Sequence, residues 1–161
     1  MTWLLIIFGI AVVLSPLMWF KQSPYQKRVA DLRGSASTLN LLVSLQRRPD
    51  AREAESALEA VCYKMRWKAS DHQRNWVIHR FSRRGWESPW AGWHWVQNEA
   101  DVSWHGILPQ LLPELPSGVV AIIATEADVG AIWDERGSHD DLVKIAETLG
   151  KLKHHIENIS H

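Results

Sequence analysis

The residues of this sequence that most often perform chemistry are its histidines and its single cysteine. There are eight histidines, but they do not follow the spacing of a metal site. His154 and His155 are adjacent, so on a helix their side chains point about 100° apart. His79 and His94 could meet across a hairpin, but no nearby cysteine or carboxylate would complete a zinc shell. Cys62 lies among basic residues that would lower its pKa, yet no signature of a cysteine nucleophile surrounds it. The sequence predicts no metal and no cofactor.

Acidic residues and glycine motifs give no sign of catalysis either. Asp134-Glu135 and Asp140-Asp141 could form paired carboxylates, but the second pair is already explained by the preference of acidic residues for a helix N-terminus. The sequence contains no dinucleotide-binding glycine motif, no phosphate-binding lysine loop and no nucleophile elbow. We therefore expect a protein that is not an enzyme.

Tryptophan is the outlier of the composition, with ten residues, five of them between Trp86 and Trp104. Such side chains could form a stacking platform for a base or sugar, a hot spot for a protein partner, a rim at a membrane interface, or simply the core. Trp86 and Trp90 flank Pro89 in a loop beside Arg83 and Arg84, and for these two residues exposure and burial both stay open. The core interpretation is preferred for Trp76, Trp93, Trp95 and Trp104. The candidate interaction surface comprises Arg83, Arg84, Trp86, Trp90 and Trp93.

The stretch from Trp3 to Phe20 contains no charged residue. As a helix it would extend roughly 27 Å, close to the lower limit for crossing a bilayer. A cleaved signal peptide is the alternative, but no basic residue precedes the stretch and no small residues follow it. Aromatic residues at both ends and basic residues only after it predict a retained anchor with the N-terminus outside and the following domain in the cytoplasm. The predicted anchor residues are Trp3, Phe8, Trp19, Phe20, Lys21, Lys27 and Arg28.

Charge divides the remaining chain into two halves. Lys21 to Arg84 carries 14 basic and 6 acidic residues, and Gly85 to His161 carries 4 basic and 12 acidic residues. The basic half could contact anionic lipid headgroups, or the two halves could neutralise each other within one sheet, which is the preferred interpretation. The overall balance of zero argues against a nucleic-acid partner.

The pattern of apolar residues predicts an α+β fold. Residues alternate between apolar and polar over Val61–Lys68, a clear strand, and further strands are expected over 41–45, 75–81, 90–96, 119–125 and 129–134. Residues 82–89 would form a long hairpin loop, and prolines would break a helix over 104–115. Helices are predicted from Ser23-Pro24, over Ala51–Ala60, and after the capping box Ser138–Asp141. The predicted organisation is an anchor over 1–22, a juxtamembrane helix over 23–40, and a soluble domain over 41–161 with an antiparallel sheet covered by helices.

The final helix carries apolar residues at alternating spacings of three and four from Leu142 to Ile159. This spacing could pair two copies of the chain as a coiled coil. At this length, with Gly150 inside, the helix more often packs on the sheet of its own domain.

Two stretches carry a resemblance to known proteins. Residues 20–28, FKQSPYQKR, are similar to the membrane exit of the YajC family of preprotein translocase accessory subunits. Residues 131–137, AIWDERG, resemble uncharacterised gammaproteobacterial single-span proteins that sometimes carry the YajC label. The resemblance implies a bacterial inner-membrane location and no catalytic or binding residue.

Two functional hypotheses remain open. The first is a membrane-anchored, non-catalytic accessory protein of an inner-membrane assembly, with the lipid bilayer and a membrane protein as partners. The second is a membrane-tethered sensor that binds a small or sugar-like ligand in a tryptophan-lined pocket. A filled core would count against the sensor.

Overall fold

The structure is a computed structural model that describes residues 1–19, 23–68 and 75–159. The chain divides into two compact units, Met1–Asp31 and Leu32–His161, with the boundary inside a helix. The described part is an α+β protein with four helices and one antiparallel sheet.

The first unit contains helix α1 (Thr2–Trp19) and the first half of helix α2 (Pro24–Thr38). Helix α2 begins with a reciprocal capping box, in which the Ser23 N–H donates to Gln26 Oε1 at 3.1 Å and the Gln26 N–H donates to Ser23 Oγ at 3.2 Å. The predicted helix start at Ser23-Pro24 is confirmed.

The predicted membrane anchor over residues 1–22 is wrong. None of the helices in the described ranges combines the length and the apolar character needed to cross a bilayer. The transmembrane part of the predicted fold class, the single-pass topology and the inner-membrane location are corrected for the same reason.

The residues assigned to the anchor therefore lose that role. Trp3 and Phe8 are exposed on α1, and Lys27 and Arg28 are exposed on α2. The guanidinium of Arg28 lies 5.4 Å from the centre of the Tyr25 ring, so it makes a local cation–π contact. Trp19 is the last residue of α1, and Phe20 and Lys21 lie outside the described residues.

Seven strands form the sheet of the second unit, and every pairing in it is antiparallel. The sheet order is β1-β2-β7-β6-β3-β5-β4, so the C-terminal hairpin lies between two strands that are consecutive in sequence. The strands are β1 (Leu42–Arg47), β2 (Glu59–Arg66), β3 (Trp76–Arg80), β4 (Trp86–Glu87), β5 (Trp93–Val96), β6 (Val119–Ala124) and β7 (Asp128–Trp133).

Strand β2 follows the alternation that predicted it. Tyr63 faces the main core, and Cys62 lies in a smaller buried cluster on the other face with Ala121 and Ile132. The predicted β6–β7 hairpin is also confirmed. Strand β4 was not predicted, because its two residues lie inside the segment that reads as a hairpin loop.

The core contains a continuous row of tryptophan rings. Trp90, Trp95, Trp76, Trp104 and Trp67 follow one another with ring centroids 5.6, 6.0, 5.3 and 5.7 Å apart, mostly edge to face. Trp93 is buried beside them. The core interpretation of the predicted tryptophans is confirmed, and their concentration in sequence reflects the aromatic filling of the sheet.

Helix α4 (His139–Ile159) covers the main core face. Its predicted capping box is present, since the Ser138 N–H donates to Asp141 Oδ2 at 2.8 Å. The apolar seam from Leu142 to Ile156 is buried in the unit's own core. The interpretation in which this helix packs on the sheet of its own domain is confirmed. The segment before β6 is broken as predicted, into helix α3 (Leu108–Leu111) and two 3₁₀ turns, Val102–Trp104 and Leu112–Glu114.

The helix predicted over residues 51–60 is wrong. Residues 49–58 form turns and irregular chain, and β2 already begins at Glu59. Alanine and glutamate favour helix, but a ten-residue helix is marginal without a packed apolar face. The Arg48 N–H instead donates to the Leu58 carbonyl and closes this connection between β1 and β2.

Ion pairs connect the basic half of the chain to the acidic half. Lys64 Nζ lies 3.6 Å from Asp128 Oδ2 across β2 and β7. Glu135 accepts bonds of 2.7 Å from Arg33 Nε and Nη2 and from the Tyr63 hydroxyl. Of these two pairs, Lys64 with Asp128 joins neighbouring strands, as the preferred interpretation expects, whereas Arg33 lies on helix α2.

Candidate functional site

Two loops of the second unit enclose a cleft rich in arginine. The first loop follows β1 and the second follows β3, and the cleft between them has a volume of about 760 Å³. We refer to it as the arginine cleft. Its lining residues are Arg47, Asp50, Ala51, Arg52, Glu53, Ala54, Ser82, Arg83 and Arg84.

The first loop is shaped by Arg48. Its guanidinium donates to both carboxylate oxygens of Asp50, at 3.1 and 2.7 Å, and to the Ala57 carbonyl at 3.2 Å. The hydrogen bonds from Arg48 hold the pKa of the Asp50 carboxyl below its usual range, against a smaller opposing effect of burial. The loop is therefore held by a charged, bidentate contact.

The second loop is held by hydrogen bonds to strand β3 and to the first loop. The buried His79 side chain donates through Nε2 to the Arg84 carbonyl at 2.8 Å, and the Arg84 guanidinium donates to the Ala51 carbonyl of the first loop. Gly85 has a φ of +90°, and a Cβ there would lie 1.8 Å from the Trp95 carbonyl oxygen. The two loops are thus joined to each other and to the sheet.

Three arginines of the cleft remain available to a ligand. The guanidinium groups of Arg47, Arg52 and Arg83 are exposed and make no hydrogen bond or ion pair within residues 23–68 and 75–159. Arg48 and Arg84, by contrast, are used to hold the loops. The charge that faces solvent here is mainly positive.

An exposed aromatic side chain lies beside the cleft. Phe81 is 73% exposed and has a φ of +72°, a left-handed backbone that bulky residues rarely adopt. The Arg80 guanidinium lies 4.9 Å from the centre of its ring and donates to the Val119 carbonyl at 2.6 Å. Burial lowers the pKa of Arg80. Phe81 also borders a second cavity of about 520 Å³, which Arg48, His79 and Trp133 help to line.

The structure separates the members of the predicted interaction surface. Arg83 and Arg84 line the arginine cleft. Trp86 is 43% exposed, and its indole N–H donates to Glu99 Oε2 at 3.5 Å. Trp90 is half-buried against Trp95, and Trp93 is buried. The exposed part of the predicted surface is therefore the arginine pair with Trp86.

The thiol of Cys62 and the hydroxyl of Tyr63 both belong to buried residues of strand β2. Cys62 is buried, and desolvation raises the pKa of its thiol to about 12. Burial, and then the bond to Glu135, raise the pKa of the Tyr63 hydroxyl. Among the described residues, no group of three or more His, Cys, Asp or Glu side chains could hold a metal ion.

Several residues of this site were not identified from the sequence. Arg47 and Arg48 lie beyond the strand predicted over residues 41–45, and Arg52 lies in the helix predicted over residues 51–60. Phe81 was placed on a strand face. The available signal was the density of arginine in both segments, but nothing in the sequence placed these segments side by side.

Comparison with known proteins identifies no relative, since no protein family, curated protein or solved structure matches the chain. The resemblance to YajC-like proteins therefore stays a prediction.

Proposed function

We propose that this protein is a non-catalytic interaction protein that binds an acidic protein partner at the arginine cleft. The observation that carries the proposal is the group of exposed guanidinium groups of Arg47, Arg52 and Arg83, which have no partner in the described chain. Arginine pairs with carboxylates in a bidentate geometry and is enriched among the residues that dominate binding energy.

The side chains around the cleft support a protein partner over a small ion. Phe81 and Trp86 are large aromatic residues exposed close to the second arginine loop in sequence. Aromatic residues beside arginine are the composition expected at the centre of a protein interface. The strained backbone at Phe81 is also a type of feature that concentrates at functional sites.

The sensor hypothesis receives less support. Its ligand would stack on tryptophans inside a pocket, but the tryptophan row fills the core. Of the tryptophans, only Trp133 lines any of the four described cavities. A pocket with two or more tryptophans, the arrangement that this hypothesis requires, is not among those four.

The experiment compares two variants that carry the same change in net charge. Arg52→Glu/Arg83→Glu reverses two exposed charges of the cleft, and Lys68→Glu/Lys144→Glu reverses two exposed charges outside its lining. Binding of a fluorescent 20-residue polyglutamate is followed by anisotropy at several salt concentrations. We expect the cleft variant to bind at least about tenfold more weakly, a loss of about 1.4 kcal/mol, and the control to bind nearly as the wild type does.

The natural partner is then sought by cross-linking. A photoreactive amino acid at position 86 should capture one predominant protein in the source cells, and the cleft variant should reduce the yield. An equal loss of polyglutamate binding in both charge-reversal variants would refute the proposal, because it would mean that net charge alone drives the association.

A further inference from the structure

One edge of the sheet is long and apolar, and among the described strands nothing pairs with its outer side. Strand β1 is an edge strand and pairs only with β2 among the described strands, whereas β4, at the opposite edge, has two residues. Four of the six β1 side chains are exposed, and three of these, Leu42, Val43 and Leu45, are apolar. Leu45 is 63% exposed.

Such an edge is unusual in a protein that does not use it. Native sheets commonly protect their edges with short strands, charged residues, proline or bulges. Strand β4 is protected because it is only two residues long, but β1 carries no charge before Arg47 and contains no proline. The backbone groups on the side of β1 away from β2, together with its apolar side chains, form a template for an added strand.

Both ends of β1 are basic. Arg47 at its C-terminal end lines the arginine cleft together with Arg52 and Arg83. At the other end, Leu42 lines a separate cavity of about 680 Å³ together with Arg66 and Lys153. Lys153 also lies 3.9 Å from Glu157, and Arg47 lies opposite Glu59, but Arg66 and Arg47 form no ion pair with the described residues. The edge is therefore an apolar strand with a basic side chain at each end.

This charge pattern selects among the strands that could pair with β1. In an antiparallel pair of two copies, the Arg47 end of one chain would face the Leu42 end of the other, where Arg66 and Lys153 lie. Like charges would meet at both ends, which disfavours a second copy. A strand with acidic ends and an apolar centre would instead meet opposite charge at both ends.

We infer that β1 binds an extended, acidic peptide segment of the partner by strand addition, with the acidic residues at one end of the segment entering the arginine cleft. This inference rests on the proposed function and specifies the form of the partner. Main-chain hydrogen bonds along β1 supply affinity that does not depend on sequence, and the arginines select the charge.

The test uses a fluorescent peptide, EEVTVTVEE, with KKVTVTVKK as its charge control. We expect only the acidic peptide to bind, with weaker binding at high salt because the charges are screened. N-methylation on one edge of the peptide should weaken binding at least about tenfold, while N-methylation on the other edge should not, since an added strand uses only one edge. Amide hydrogen exchange of residues 42–47 should slow in the complex.

The protein variant Leu45→Lys separates this inference from the proposed function. Leu45 is exposed, so the variant should fold, and lysine is a common edge-protecting residue. It should lose the peptide but retain polyglutamate binding at the arginine cleft. Equal binding of both N-methylated peptides, or unchanged peptide binding by Leu45→Lys, would overturn strand addition and leave the cleft proposal intact. If the wild type is a dimer and Leu45→Lys is a monomer, a second copy of the chain occupies the edge. That result would overturn the inference that β1 binds an acidic peptide.

Discussion

Replacing Glu135 should reveal how much stability depends on one buried carboxylate. Glu135 accepts three hydrogen bonds of 2.7 Å, two from Arg33 and one from the Tyr63 hydroxyl. Its side chain is 6% exposed and that of Arg33 is 46% exposed. Glu135 also has a φ of +57°, so its left-handed backbone is strained for any residue with a Cβ.

The expected effects follow from these surroundings. In Glu135→Ala, Arg33 regains water because it is half-exposed, but the buried Tyr63 hydroxyl is left without an acceptor at a cost of about 1–3 kcal/mol. Including the lost charged bonds, we expect a decrease in unfolding free energy of about 2–4 kcal/mol. Tyr63→Phe should decrease it by only about 1 kcal/mol, since the carboxylate keeps both bonds from Arg33 and no donor is orphaned.

Glycine at position 135 gives a sharper comparison. Glu135→Gly loses the same bonds as Glu135→Ala but relieves the backbone strain, worth about 1 kcal/mol. Glycine should therefore be more stable than alanine here, the reverse of the order in ordinary helices and strands. Urea unfolding of the three variants measures the differences. The reasoning would be refuted if Glu135→Gly were less stable than Glu135→Ala. It would also be refuted if Glu135→Ala were at least as stable as Tyr63→Phe.

Three further predictions concern the sheet. Burial raises the pKa of the Cys62 thiol from 9.0 to about 12. The folded state therefore keeps the thiol proton above pH 9 while the unfolded state loses it, so the unfolding free energy decreases by about 1.4 kcal/mol per pH unit between pH 9 and pH 12. In urea unfolding across this range, Cys62→Ala should show a shallower decline than the wild type, and equal slopes would contradict the prediction. Gly130→Ala would place a Cβ 2.6 Å from Cys62 Sγ and should lower the unfolding free energy by about 1–3 kcal/mol. The double variant Gly130→Ala/Cys62→Ala should lose less unfolding free energy than the two single variants together. Strict additivity of the two losses would argue against this contact. Gly85→Ala would place a Cβ 1.8 Å from the Trp95 carbonyl oxygen, so we expect the unfolding free energy to decrease by at least about 3 kcal/mol. A decrease in melting temperature of less than about 3 °C would contradict this prediction.

Local patterns predicted the strands because period-two alternation is a property of consecutive residues. Val61–Lys68 and the hairpin around Glu126 each carry their signal within a few positions. The same reasoning failed for residues 51–60, since helix propensity is weak and the segment lacks an apolar face to pack. It failed for residues 1–22 because a run without charged residues was interpreted as a membrane span, whereas none of the helices in the described ranges is long and apolar enough to cross a membrane.

The arginine cleft could be predicted only in part. Arg83 and Arg84 were identified from their basic loop beside tryptophans, and both line the cleft. Arg47 and Arg52 were not identified, because the segments containing them and Arg83 are separated by about 30 residues. These arginines come together because residues 49–58 form a loop, whereas a helix was predicted over residues 51–60. The wrong helix prediction therefore also prevented a prediction of the contact between the two loops.

The strand order has a consequence for how this domain can fold. Strands β2 and β3 are neighbours in sequence but are separated in the sheet by the β6–β7 hairpin. The sheet therefore cannot become continuous until the chain through Trp133 is available. A nascent or truncated chain ending before β6 could form only two separate pieces, β1–β2 and β3–β5–β4, each with an exposed inner edge. Closure of the sheet depends on contacts of high sequence separation, which predicts slow folding and a period of exposed strand edges during synthesis.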